Sequence, residues 1–149
     1  MVSQKRRVLV VEDDLGAQLT IMRVLRSIDQ EIEIDTVATA DDAFSMIESG
    51  VPRPGAMYDM VLADIYTPGE LDGLSLWFRC QMRYPMIPFI MVSGMTTEHY
   101  FDTFGSDQVV PAYLEKPFMP QECRQLICSL LHFDERPQEV SIKDIGRAD

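Results

Sequence analysis

The chain has 149 residues, enough for one domain, and its 46% hydrophobic and 25% charged residues are typical of a globular protein rather than a disordered one. The formal net charge of −11 argues against direct binding to nucleic acid or to an anionic membrane surface, because both need local positive charge. No stretch approaches the roughly 20 consecutive apolar residues that a bilayer-spanning helix requires.

Five short apolar segments predict β-strands. Residues 8–11, 60–63 and 89–92 are apolar at every position, which is typical of strands covered on both faces in a parallel sheet. Residues 31–35 alternate between charged and apolar side chains, so they predict a half-exposed strand nearer an edge. Residues 112–114 predict a fifth, short strand.

Between these strands the apolar residues follow a helical spacing. The first predicted helix runs from Leu15 to Ile28, with apolar side chains three or four residues apart. Further helices are predicted at residues 40–47, 74–82, 97–104 and 121–133. Strand and helix alternate five times, which predicts one α/β domain with a mostly parallel sheet and right-handed crossovers.

The polar segment 134–149 is too short to form a second domain. Its composition is compatible with a mobile end, a docking segment or a linker to a further part of a longer protein. We therefore expect one domain over residues 1–133 and a polar tail or linker over residues 134–149.

The cysteines and histidines predict neither a disulfide framework nor a zinc site. Cys80, Cys123 and Cys128 are odd in number and spaced unlike a disulfide framework, so we interpret them as small apolar packing residues in a reducing cytosol. His99 and His132 have no cysteine or histidine nearby at the spacing of zinc ligands.

Polar side chains follow four of the five predicted strands. They are Glu12, Asp13 and Asp14 after the first strand, Asp64 after the third, Ser93 after the fourth, and Glu115 and Lys116 after the fifth. Each alone has an ordinary explanation, such as a helix cap, a turn former or a solvated lysine. In a doubly wound sheet, however, ligands bind beyond the carboxyl ends of the strands, so the joint placement of these residues predicts one functional site.

The residue types at this site favour metal-assisted phosphoryl chemistry. Clustered carboxylates repel one another unless a cation lies between them, and oxygen ligands of this kind suit Mg²⁺. A carboxylate beside such a cation can attack a phosphoryl group and form an aspartyl phosphate. Lys116 and Ser93 are the available cationic and hydrogen-bonding partners for the phosphoryl oxygens.

Four motifs together resemble the receiver domain of two-component response regulators. They are Val10-Val11-Glu12-Asp13, Asp64-Ile65-Tyr66-Thr67-Pro68 with Leu71-Asp72-Gly73, Val92-Ser93-Gly94, and Tyr113-Leu114-Glu115-Lys116-Pro117-Phe118. The resemblance covers roughly residues 6–133. It implies a flavodoxin-like, doubly wound α/β fold with five parallel strands in the order 2-1-3-4-5 and five helices. Within the family, the chain resembles the chemotaxis-regulator type.

The resemblance also implies a function in bacterial phosphorelay signalling. Asp64 would accept a phosphoryl group from a histidine kinase or phosphotransfer protein. Glu12, Asp13, Asp64 and the backbone carbonyl of Tyr66 would hold Mg²⁺. The protein would be a cytoplasmic switch that catalyses its own phosphorylation and dephosphorylation and no other reaction.

Three further residues receive roles from the same resemblance. Ser93 would contact the phosphoryl group and trigger the switch, while Lys116 would pair with the phosphoryl oxygens. Tyr113 would move inward when Ser93 is drawn to the phosphate, changing the surface formed by the fourth helix, fifth strand and fifth helix. The Lys116–Pro117 peptide would be cis. An output partner or output domain is expected but not identified, and a phosphorylation-dependent homodimer is compatible with the resemblance.

The sequence departs from the family pattern at three places. Gly69, Glu70 and Leu71 are one residue more than is common at that point, and Thr67 stands where methionine is usual. The segment 105–112 lacks the usual Gly-Ala step before the fifth strand. None of these departures removes a residue with a chemical role.

Three alternatives belong to other classes. A phosphohydrolase of the haloacid-dehalogenase type would have an aspartate two residues after Asp64, where this chain has Tyr66. A nucleotide- or flavin-binding module would have a glycine-rich loop after the first strand, where the acidic run would repel phosphate. A pseudo-receiver that acts as a phosphorylation-independent scaffold stays open, although all five residues of the phosphorylation site are present.

Overall fold

The computed structural model describes residues 5–50 and 57–131. The strands are β1 (Arg7–Val11), β2 (Glu33–Val37), β3 (Met60–Asp64), β4 (Phe89–Ser93) and β5 (Ala112–Glu115). The helices are α1 (Leu15–Ile28), α2 (Ala40–Gly50), α3 (Gly73–Arg83), α4 (Thr97–Phe104) and α5 (Pro120–Leu131). Among these helices, none is long and apolar enough to span a membrane.

The five strands form one parallel sheet in the order β2-β1-β3-β4-β5. This confirms the fold class and the strand order expected from the sequence. The chain moves from β1 outward to β2, and then returns past β1 to β3, so the strand order reverses between β1 and β3. A crevice that can take a ligand therefore opens at the carboxyl ends of these two strands.

Helices cover both faces of the sheet, which explains the unbroken apolar runs of the inner strands. Successive residues of β1 point to opposite faces: Leu9 and Val11 pack in the cluster under α2, α3 and α4, whereas Val8 and Val10 pack in the cluster under α1 and α5. Every residue of β3 and β4 is buried. A strand buried on both faces has no solvated side that would select polar residues.

Polar side chains begin three of the helices. Asp14 accepts a hydrogen bond from the backbone N–H of Ala17 at the start of α1, and Asp72 caps α3 in the same way. Thr96 caps α4. Of the three acidic residues after β1, Asp14 is therefore the helix cap, and the two preceding carboxylates are left for the crevice.

The predicted position of the second strand was wrong by two residues. The sequence pattern placed it at residues 31–35, but Glu31 and Ile32 belong to a turn after α1 in which both backbone N–H groups donate to Asp29. Pairing with β1 begins only at Glu33, opposite Arg7. Ile32 is buried with the α1 side of the core, so its apolar character reflects packing against a helix rather than strand alternation.

The end of the last helix is only partly comparable with the prediction. The described part of α5 ends at Leu131, whereas the sequence predicted a helix to Phe133. Phe133 and the predicted tail 134–149 lie outside the described residues.

The structure confirms the interpretation of two cysteines as packing residues. Cys80 and Cys123 are buried free thiols. Burial raises the pKa of Cys80 to about 11 and that of Cys123 to about 12, so both stay protonated and unreactive near neutral pH. Cys128 is half-buried.

Candidate functional site

The topology brings the polar residues that follow four of the strands to one edge of the sheet. Glu12 follows β1, Asp64 ends β3, Ser93 ends β4 and Lys116 follows β5. These four strands are neighbours in parallel register. Residues at the carboxyl ends of adjacent parallel strands lie side by side, so the convergence follows directly from the strand order.

Three carboxylates form a compact acidic cluster. One oxygen each of Glu12, Asp13 and Asp64 lies within 4.8 Å of the others. Glu12 is only 1% exposed and Asp64 is 9% exposed, whereas Asp13 is exposed to solvent. The cluster therefore has a buried floor and an open side through which a ligand can enter.

Lys116 compensates part of this negative charge. Its Nζ lies 2.8 Å from Oε1 of Glu12 and 2.9 Å from Oδ2 of Asp64. Burial alone would lower the pKa of the Lys116 ammonium, but the bonds to Glu12 and Asp64 outweigh burial and raise that pKa above its usual value. Lys116 thus remains charged at neutral pH. Its peptide bond to Pro117 is cis, as the resemblance implied.

The carboxylate of Glu12 has capacity for a further cation. Its Oε2 accepts a hydrogen bond from the backbone N–H of Asp14 at 3.0 Å. Its Oε1 is buried and, beyond the ion pair with Lys116, no hydrogen-bond donor among residues 5–50 and 57–131 reaches it. Burial raises the pKa of Glu12 against the effect of Lys116. An all-oxygen donor set with a buried carboxylate that has lone pairs beyond these two contacts fits Mg²⁺.

Tyr66 lies directly beside the predicted phosphoacceptor. Its backbone N–H donates a 3.0 Å hydrogen bond to Oδ1 of Asp64, which orients that carboxylate. Its side chain is 61% exposed. The role of its backbone carbonyl as a metal ligand stays a prediction.

Ser93, at the end of β4, links the acidic cluster to Tyr113 of β5. Its backbone carbonyl accepts hydrogen bonds from the N–H of Lys116 at 2.8 Å and from the hydroxyl of Tyr113 at 3.0 Å. Its own side chain is buried, and its Oγ lies 3.5 Å from the backbone N–H of Met95. A shift of Ser93 would therefore act on both Lys116 and Tyr113.

The ring of Tyr113 points into the protein. Its hydroxyl lies 2.6 Å from the carbonyl oxygen of Met95 as well as close to that of Ser93. The ring stacks on Tyr100 of α4, with ring centroids 4.1 Å apart and planes 12° apart. The hydroxyl of Tyr100 in turn donates to the carbonyl of Pro111 at 2.9 Å. The inward position expected of Tyr113 after phosphorylation is thus the one the structure has.

Sequence reasoning missed Tyr100. This side chain is completely buried, but α4 has only eight residues, and so short a segment has too few positions to reveal its buried face by spacing. Sequence reasoning also missed Asp41 of α2, which contacts the loop after β3.

A doubly wound α/β domain with an acidic cluster and a lysine at the switch point of its sheet defines the class of receiver domains, which act in phosphorylation-based two-component signalling. The chain belongs to this family: the response regulator receiver domain matches residues 8–128.

Two longer proteins to which the chain is similar are transcriptional regulators. It is 30% identical over 146 residues to the DNA-binding transcriptional regulator NtrC of Salmonella typhimurium, covering 96% of this chain and 29% of NtrC. It is 28% identical over 120 residues to the hydrogenase transcriptional regulatory protein HoxA of Cupriavidus necator, covering 80% of this chain and 23% of HoxA. The chain therefore spans less than a third of the length of either relative.

Solved structures support the fold. A CheY-like response regulator receiver domain from Methanospirillum hungatei has a TM-score of 0.67 at 24% identity, covering 87% of this chain and 95% of that chain.

Proposed function

We propose that the protein is a signalling switch in which Asp64 accepts a phosphoryl group from a histidine kinase or a phosphotransfer protein, with Mg²⁺ as cofactor. The observation that carries this proposal is the surroundings of Asp64. Its carboxylate lies 2.9 Å from Nζ of Lys116 and shares the acidic cluster with Glu12 and Asp13.

The residues of the site suit each part of the transfer. An oxygen of Asp64 attacks phosphorus as the bond from phosphorus to the donor's imidazole nitrogen breaks, and that nitrogen leaves with the bonding electron pair. Lys116 is close enough to pair with a phosphoryl oxygen, and the hydroxyl of Ser93 can donate a hydrogen bond to another. A bound Mg²⁺, held by Glu12, Asp13 and Asp64, supplies positive charge that offsets the charge of the phosphoryl oxygens.

Exposed apolar residues beside the site favour a protein as the phosphoryl donor. Leu15 at the start of α1 is 65% exposed and Met119 before α5 is 66% exposed. Between these two elements lies a groove of about 340 Å³, lined among others by Ala17 and Phe118. An apolar groove flanked by exposed apolar side chains, next to the lysine that pairs with the phosphoacceptor, favours binding of another protein.

The output is proposed to be a change of the surface formed by α4, β5 and α5. Since two longer relatives are transcriptional regulators, this surface would act on an output partner or an output domain, or would form a homodimer after phosphorylation. With a net charge of −11, the domain would not itself bind nucleic acid. The buried free thiols of Cys80 and Cys123 suit a reducing compartment such as the cytoplasm.

A phosphorylation-independent scaffold is the second candidate, and one observation favours it. The contacts that hold Tyr113 inward are made with Tyr100 and with the carbonyl groups of Ser93 and Met95. These groups are present whether or not Asp64 carries a phosphoryl group. A scaffold of this kind would bind its partner with equal affinity in both forms.

The test is phosphorylation with acetyl phosphate and Mg²⁺, followed by measurement of the intact mass. The wild type should gain the mass of one phosphoryl group, Asp64→Ala should gain none, and the exposed Asp42→Ala control should match the wild type. No gain in the wild type would favour the scaffold. A gain that persists in Asp64→Ala would show that another residue is the acceptor.

A further inference from the structure

The loop from Ile65 to Asp72 is tied to the start of α2. The carboxylate of Asp41, in the first turn of α2, accepts hydrogen bonds from the backbone N–H groups of Glu70 at 2.8 Å and Leu71 at 3.2 Å. One side chain thereby holds two successive peptide groups about thirty positions further along the chain. Hydrogen bonds to a charged acceptor are stronger than those between neutral groups.

The same loop passes close to the Asp41 carboxylate at Gly69. Gly69 has a φ of +106°, and a Cβ built on it would lie 2.1 Å from Oδ2 of Asp41. The positive φ strains any residue other than glycine, and a Cβ would fit only if the Asp41 carboxylate moved away from the loop. The extra residue of this loop is thus accommodated by a turn over the Asp41 carboxylate.

Thr67 makes a second connection between the loop and α2. Its hydroxyl accepts a hydrogen bond from the backbone N–H of Ala40 at 3.2 Å and donates to the carbonyl of Leu71 at 3.3 Å. A methionine at this position, which the family pattern favours, could make neither bond. The contacts of Thr67 and Asp41 therefore hold the middle of the loop from two sides.

The ends of the loop are held separately at the phosphoacceptor. The N–H of Tyr66 donates to the Asp64 carboxylate at 3.0 Å, and the N–H of Gly73 donates to the carbonyl of Ile65 at 2.7 Å. Without Asp41, the order of the segment that carries Tyr66 would depend on these end contacts and on the hydrogen bonds of Thr67. Gly69 would gain the most freedom, because glycine has the widest range of backbone conformations.

We propose that Asp41 is a positioning residue for the cation site, which holds the loop so that the segment carrying Tyr66 is already in place before a cation binds. The inference rests on the proposed function, in which Asp64 and its neighbours hold Mg²⁺. Without Asp41 the loop must be ordered during binding, and the lost entropy weakens the affinity. The expected loss is about tenfold, the lower end of the range for residues that orient metal ligands.

Asp42 is a matched control for Asp41. It carries the same charge in the same first turn of α2, but its side chain is exposed, and within residues 5–50 and 57–131 no hydrogen bond or ion pair involves its carboxylate. Asp41→Ala and Asp42→Ala therefore change net charge and the interaction with the helix dipole equally. They differ in the contacts to the loop.

The first measurement is amide hydrogen exchange without divalent cations. Exchange at Glu70 and Leu71 should become faster in Asp41→Ala and stay at the wild-type rate in Asp42→Ala. The second is calorimetric titration with MgCl₂, in which Asp41→Ala should bind about tenfold more weakly and Asp42→Ala should equal the wild type. Should Asp41→Ala fail to fold, Asp41→Asn, which keeps one acceptor oxygen, takes its place.

A double-mutant cycle separates positioning from a general loss of structure. Gly69→Ala places a methyl group against the Asp41 carboxylate, so it should weaken Mg²⁺ binding in the wild type and weaken it less in the Asp41→Ala background. If Asp41→Ala and Asp42→Ala bind Mg²⁺ equally well, Asp41 has no positioning role, while the proposed function stands. If the wild type itself does not bind Mg²⁺, the proposed function has failed.

Discussion

Two neighbouring regions at the carboxyl edge of the sheet are held together by different forces. The acidic cluster of Glu12, Asp13 and Asp64 with Lys116 depends on charge, since the ammonium lies within 3 Å of two carboxylates. The pair of Tyr100 and Tyr113 depends on ring packing and on hydrogen bonds to backbone carbonyl groups. A ligand that brings charge acts directly on the first region but does not touch the second.

Ser93 connects the two regions, and its position shows how one could influence the other. Its carbonyl accepts hydrogen bonds from both Lys116 and Tyr113. A phosphoryl group on Asp64 that attracts the Ser93 hydroxyl would thus disturb a carbonyl shared by both regions. Before phosphorylation, however, packing of the tyrosine pair and cation binding at the acidic cluster should be separable. Three predictions examine the two regions.

The largest expected effect is on the tyrosine pair. Tyr100→Ala removes a fully buried ring and should lower the free energy of unfolding by about 3–5 kcal/mol. Tyr100→Phe keeps the ring and loses the hydrogen bond to Pro111, so it should lower that free energy by only about 1 kcal/mol. Urea unfolding measures both. Affinity for Mg²⁺ should equal that of the wild type in Tyr100→Phe, and a clear fall would contradict the separation.

The next effect concerns the acidic cluster. Lys116→Met leaves Glu12 and Asp64 without their cation, which should cost about 2–3 kcal/mol of stability when divalent cations are absent, slightly below the range for fully buried pairs because Lys116 is partly exposed. Mg²⁺ should restore much of this loss, because it replaces the missing positive charge. Lys5→Met, which removes the same charge from an exposed position, is the control for the change in net charge.

Urea unfolding at low ionic strength, with EDTA or with Mg²⁺, measures the recovery. At a hundredfold excess over its dissociation constant, Mg²⁺ should stabilise the wild type by about 2.7 kcal/mol. At the same Mg²⁺ concentration it should stabilise Lys116→Met by more. Equal stabilisation of the two proteins would mean that Lys116 and the cation do not share these carboxylates.

The smallest effect is on the lifetime of the phosphoryl group. Membership of the receiver family implies that the side chains two positions after Asp64 and two positions after Ser93, here Tyr66 and Met95, flank the approach of water to the phosphoryl group. Neither can orient a water molecule as an acid or amide could. The combined variant Tyr66→Asn, Met95→Glu should lose phosphate a few-fold faster than the wild type. Most of the change should come from Met95, which packs against the core, because the Tyr66 side chain is largely exposed.

The intact mass, followed over time after removal of acetyl phosphate, measures this lifetime. Each single variant is tested beside the combined one at the same pH and Mg²⁺ concentration. A combined variant that keeps its phosphate as long as the wild type would show that the bulk of these side chains does not control hydrolysis.

The sequence by itself determined the fold class and most of the site. Unbroken apolar runs identify strands buried on both faces, and their alternation with helical segments implies a parallel sheet. In such a sheet the residues just after each strand must meet at one edge, so the sequence alone assigns Glu12, Asp64, Ser93 and Lys116 to a common site. Local spacing and strand order were sufficient for this part.

Only the tertiary structure determined which of these side chains contact one another and which interactions hold them in position. Three sets of contacts join residues that are far apart in the chain. Lys116 pairs with two carboxylates, Tyr100 stacks on Tyr113, and Asp41 accepts a hydrogen bond from Glu70 in the loop. Such contacts form only when a helix or loop lies within about an ångström of a particular position on the sheet. The spacing of residues along the sequence does not determine positions that closely. The displaced second strand has the same cause, because the burial of Ile32 against a helix imitates the alternation of a strand.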